Sequence, residues 1–164
     1  MKISKLKTCK TNANEAVDFP EGIFVLAFMD SFTEKKSMRP FDCLLNWKEE
    51  FETLSIPVYI VTPQKHHFRE DGTFFYLYDE SLDCFRAYDV LKSKSVFGKE
   101  HEVIYASMYV IDQGKMIYKV QSITNSSLKK LLIYLSKEWV KKFRKKVEKK
   151  LSSQNENVPK KINY

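Results

Sequence analysis

The chain has 164 residues, 43% of them hydrophobic, with 12 Phe and 9 Tyr, enough for one folded core and too aromatic for an intrinsically disordered chain. Its net charge of +7 is uneven: residues 126–164 hold 12 Lys and Arg against 3 Asp and Glu, so the basic balance speaks only for what the C-terminal segment touches. The N-terminal lysines enclose no apolar signal core, and no stretch nears the roughly 18 apolar residues of a membrane span. Cys9, Cys43 and Cys84 are few and widely spaced, which fits reduced thiols, so a cytoplasmic protein is expected.

The first strong element is the apolar run Ile23–Phe28, introduced by Pro20 and Gly22 and read as a strand buried on both faces. After a polar stretch, Phe41, Leu44, Leu45, Phe51 and Leu54 recur at helical spacings, with Ser37 as the expected N-cap and Pro40 in the first turn, where a missing N–H costs little. Pro57–Thr62 and Thr73–Tyr78 read as two more strands, and Asp79–Leu91 as a short helix. This alternation specifies a layered α/β sheet.

The pattern then changes. Glu102–Ile111 and Lys115–Val120 are strand-like and separated only by Asp112-Gln-Gly114, which predicts an antiparallel hairpin with Gly114 taking the unusual backbone angle. Leu128, Leu132, Leu135, Trp139, Phe143, Val147 and Leu151 then recur every three or four residues, predicting a final helix of about 25 residues. The expected organisation is one domain over residues 1–151 and a flexible polar tail over 152–164.

Three segments carry a family resemblance. Phe24–Phe28 with its following loop is similar to the strand leading into the active site of peroxiredoxins. Leu77-Tyr-Asp79 through Ala87-Tyr-Asp-Val90 resembles the redoxin segment in which a strand ends in Asp and a short helix ends in Ala-Tyr-Gly-Val. Ala106–Lys115 resembles the family hairpin Ser/Thr-x-Phe-Val-Ile-Asp-x-x-Gly-Lys. The resemblance spans roughly residues 20–135. It implies a thioredoxin-like, peroxiredoxin-like three-layer sandwich, with a mixed central sheet, a C-terminal β-hairpin and a long final helix.

The resemblance also implies a site. The family's Pro-x-x-x-Thr-x-x-Cys motif falls on Met29–Lys36, where Thr33 matches, Met29 replaces the proline and Lys36 replaces the peroxidatic cysteine. The family's arginine before the hairpin strand falls on Ala106. Aligned instead with the Cys-x-Pro-Cys reductases, Pro40 matches while Met38 and Phe41 take the cysteine positions. A peroxidatic thiol works as a thiolate at a helix N-terminus beside a cation, and a lysine amine cannot pass through sulfenic acid. The expectation is therefore a non-catalytic binding or scaffold module. The alternative is a thiol-dependent oxidoreductase of the alkyl hydroperoxide reductase and thiol antioxidant type, using Cys43 or Cys84.

The remaining candidates have ordinary explanations. Cys43 reads as a small hydrophobe in a helix, Cys84 lies where some family members keep a resolving cysteine, and Cys9 is assigned no role. His66 and His67 are sequence neighbours and do not share a helix face, so no metal is expected, and no cofactor either. The basic helix is open to three roles: a solvated face, a contact with an anionic surface, or a homodimer or protein contact through Phe143, Val147 and Leu151. Nucleic acid is not expected, since aromatics do not interleave with the basic residues as in a nucleic-acid reader.

Overall fold

The computed structural model describes residues 7–32, 35–66 and 68–157. In chain order the elements are β1 (Lys10–Thr11), β2 (Phe24–Phe28), α1 (Lys35–Asn46), α2 (Lys48–Leu54), β3 (Val58–Thr62), β4 (Phe74–Tyr78), α3 (Asp83–Ala87), β5 (Leu91–Val96), β6 (Lys99–Ile104), β7 (Ser107–Asp112), β8 (Lys115–Val120) and α4 (Asn125–Asn157). Six strands form one mixed sheet in the order β1-β4-β3-β2-β7-β8, parallel across β4-β3-β2 and antiparallel at both flanks.

Every residue of β2 and β3 is buried, because both sheet faces are covered. Side chains alternate across a strand, so Val25, Ala27, Val58 and Ile60 join the core under α1, α2 and α4. Phe24, Leu26, Phe28 and Val61 join a second core with Phe85 and Tyr88. The result is the expected three-layer sandwich.

Several expectations need correction. Ser37 lies inside α1 rather than capping it, and Pro40 sits in the second turn. The helical pattern from Phe41 to Leu54 divides at Trp47, whose N–H turns back to the Leu44 carbonyl at 3.1 Å. α2 then stops at Ser55, in the left-handed conformation at φ 54°, with the Ile56 N–H donating to the Phe51 carbonyl at 3.0 Å as in a Schellman cap. The helix expected over Asp79–Leu91 shrinks to α3.

The strand expected over Glu102–Ile111 breaks at Tyr105-Ala106. Its first part, β6, pairs with β5 in a separate two-stranded hairpin. That hairpin is exposed over residues 92–102 and carries no apolar alternation to announce it. Its turn, Phe97-Gly98, has φ 52° and 75°, the type I′ geometry that matches strand twist. The β7–β8 turn repeats it, with Gln113 at φ 51° and Gly114 at φ 76°.

α4 begins three residues earlier than its leucines announce. Thr124 caps it: the Ser127 N–H donates to Thr124 Oγ1 at 3.1 Å, and the Thr124 N–H donates to Ser127 Oγ at 2.8 Å, a reciprocal capping box. The helix also runs on to Asn157, so residues 152–157 are helix rather than tail; residues 158–164 lie outside the described residues. No helix among the described residues is long and apolar enough to cross a membrane.

Candidate functional site

The place where the resemblance puts chemistry is the carboxyl end of β2. Phe28 pairs with Ser107, so Ala106 and the loop leaving β2 meet at the same end of the sheet. Met29 is fully buried and its N–H donates to the Val61 carbonyl at 3.1 Å, prolonging strand pairing where the family motif has proline. Asp30 is exposed and its carboxylate accepts the Ser31 N–H at 2.8 Å.

Phe32 anchors the loop from beneath. Its ring lies 4.9 Å from Phe41 and 5.4 Å from both His66 and Phe68, and Tyr76 closes the cluster 4.7 Å from His66. Such edge and tilted contacts suit aromatic quadrupoles. Burial, with the Asp71 charge added, pushes the Tyr76 phenol up to about 12, so it stays neutral at physiological pH.

Thr33 lies outside the described residues. Lys36 is the second residue of α1, near the helix end where unpaired N–H groups concentrate positive potential. Cys43 stands two turns further along α1, half-buried and packed against the core. Cys84 is the second residue of α3 and fully buried in the other core. Sheet and helix thus hold Cys43 and Cys84 in different layers.

Cys84 has neighbours that its sequence position did not reveal. Cys9, 2% exposed, and Asp79 place their sulfur and carboxylate oxygen within 4.8 Å of the Cys84 sulfur and of each other. A hydrogen bond with Cys9, burial and the Asp79 charge together push the Cys84 thiol far up, so it is protonated and a poor nucleophile. Burial alone would raise the Asp79 carboxyl, but hydrogen bonds from Cys84, Ser81 and Thr8 outweigh it and hold it below the usual carboxylate range. The strand-ending Asp was legible as a family feature, whereas its pairing with Cys9 had no local signal.

This topology, with the loop and Ala106 at one end of the sheet, is that of the thioredoxin-fold peroxiredoxins. Among solved structures the chain resembles Xanthomonas campestris peroxiredoxin Q (TM-score 0.62, 17% identity, covering 80% of this chain and 90% of that one). It also resembles a cysteine-to-serine mutant of Xylella fastidiosa PrxQ (TM-score 0.60, 16% identity, 84% and 93% covered). The third is peroxidoxin BcpB from Mycobacterium tuberculosis (TM-score 0.58, 14% identity, 77% and 89% covered). At these identities the likeness is one of fold. No family profile and no curated protein matches the sequence.

Proposed function

We propose that this chain is a peroxiredoxin-fold binding or scaffold module that does not turn over peroxide by the family's thiolate route. One observation carries the reading: none of the chain's three cysteines stands at the start of α1. The residue aligned with the peroxidatic position is Lys36, Cys43 lies two turns on, and Cys9 and Cys84 are buried in the core of the opposite layer. Two turns into its helix Cys43 lacks the potential that makes a thiolate, and Cys84, although in the first turn of α3, is held protonated by Cys9, burial and the Asp79 charge.

The partner-facing element is then the distal half of α4. Trp139, Phe143, Val147 and Leu151 are 39–53% exposed, and eight basic residues lie between Lys137 and Lys150 against only Glu138 and Glu148. A second copy laid on this stripe would face lysine with lysine, so charge favours an anionic surface over self-association.

The first test is peroxide consumption with a thiol donor, expected to be no faster than free cysteine. Rapid turnover abolished in Cys43→Ser would overturn the reading and make Cys43 the nucleophile. The second test is binding to polyglutamate and to acidic vesicles, expected to weaken steeply between low and high salt as counterions are released. A salt-independent doubling of the sedimentation mass would assign the stripe to a second copy instead.

A further inference from the structure

Cys9 and Cys84 are 75 residues apart in sequence, yet their sulfurs face each other, and Asp79 lies within the same 4.8 Å. Cys9 leads into the edge strand β1, and Cys84 sits in the first turn of α3. Beside them the Tyr88 hydroxyl is buried without a hydrogen-bond partner among the described residues, within electrostatic reach of both sulfurs.

Two sulfurs and a carboxylate invite either a metal ion or a sulfur–sulfur bond, and Asp79 separates the two. Its Oδ1 accepts the Ser81 N–H at 3.1 Å and the Ser81 hydroxyl at 2.6 Å, while Oδ2 accepts the Cys84 N–H at 3.0 Å and the Thr8 hydroxyl. Both oxygens are occupied in capping α3 and pinning the N-terminal segment. A metal would strip those four bonds, whereas a disulfide leaves them in place and gives up only the bond from the Cys84 thiol to Asp79. We propose that Cys9 and Cys84 form a dithiol–disulfide pair whose disulfide ties the N-terminal edge strand to α3.

The route in is the edge. β1 is two residues long, and among the described residues it pairs with β4 and, through a single bridge at Lys10, with Ala16, so it belongs to the part of the fold that opens at least cost. A cleft of about 380 Å³ reaches Thr8, Asp79 and Ser81 from outside, with Lys7 and Lys10 on its rim. The oxidant is a low-molecular-weight disulfide. With the edge lifted, the Cys9 thiolate attacks one of its sulfurs, forming a mixed disulfide and releasing one small thiol. Lifting the edge also takes Cys84 away from Cys9 and admits water, which removes what held its proton; the thiol gives that proton to water, and the resulting thiolate attacks the Cys9 sulfur and releases the second small thiol. Two protein thiols lose two protons and two electrons, and one small disulfide becomes two small thiols. This exchange is stoichiometric and independent of the binding role proposed above.

The test uses the full-length chain equilibrated in glutathione and glutathione disulfide mixtures, quenched by alkylation and mapped by mass spectrometry. The expected result is loss of two hydrogens, a Cys9 peptide joined to the Cys84 peptide, and Cys43 free to alkylate. A crosslink closing so long a loop should raise the melting temperature by roughly 10 °C. Cys43→Ser should keep that shift, and Cys9→Ser and Cys84→Ser should lose it. Three alkylatable thiols in the most oxidising mixture, or a disulfide that includes Cys43, would overturn the proposal. Because mapping is done on the unmutated chain, the outcome does not depend on whether a serine variant folds.

Discussion

Asp79 is 2% exposed and its ionised form is held by the Ser81, Cys84 and Thr8 donors. Removing an acceptor of several charge-assisted bonds strands their donors in the core, so Asp79→Ala should cost about 2–4 kcal/mol in urea denaturation. Its folded pKa lies below the unfolded value, which is about 3.9. The stabilisation is therefore complete above that unfolded value and lost as pH falls through the lower folded one. Asp79→Asn should flatten the acid limb of the stability–pH curve below about pH 4; an unchanged limb would show that the carboxylate's charge does not matter. Gly114, at φ 76° in the β7–β8 turn, should lose about 1 kcal/mol on replacement by Ala, because a Cβ clashes with the backbone in that conformation.

α4 is two helices in one as far as packing goes. Leu128, Leu131 and Leu135 are fully buried, but from Leu135 onward the apolar residues recur at a spacing of four, which advances the stripe roughly 40° per step around the helix. Trp139 and Phe143 only line an open cleft of about 430 Å³ beside Ile23, Leu54 and Ile56, and Phe143 stays 53% exposed. Lys142 takes the inward direction and reaches the Asp112 carboxylate at 2.7 Å. Leu135→Ala should therefore cost about 2–5 kcal/mol, as a core truncation does. Phe143→Ala should stay within about 0.5 kcal/mol, as surface changes do. Chemical denaturation of both variants checks this, and equal costs would mean that the distal stripe is covered within the monomer.

On the scale of the whole molecule, the same division predicts what can be removed. A chain ending before Leu128 leaves Val110, Met108 and their neighbours uncovered on the α1/α2 face and should show no cooperative melting transition. A chain ending after Phe143 should melt within about 2 °C of the full length, because the deleted helix is exposed at every position from Arg144 to Ser153. If that shorter chain also loses its affinity for polyglutamate, folding and binding reside in different halves of one helix. The sheet itself tolerates the exposed β5–β6 hairpin because that hairpin hangs from the end of the layer instead of pairing with it.

The elements that could be read from the chain were those whose signal is local. Continuous apolar runs announced β2 to β4, Gly114 announced the β7–β8 hairpin, and closely spaced leucines announced the buried half of α4. The alternation of helices and strands was enough to specify the layers. What escaped had no local signature: β5 and the first half of β6 are mostly polar on both faces, and their pairing rests on a turn and a ladder of backbone bonds. The break at Trp47 depends on how α1 and α2 fit over the sheet. The direction of the distal α4 stripe depends on where the sheet ends. Above all, Cys9 was assigned no role because nothing in its N-terminal segment points to Cys84, its neighbour in space. Periodicity reports which side of an element is buried, but only the closing of β1 onto β4 decides which two thiols, 75 residues apart, share a site.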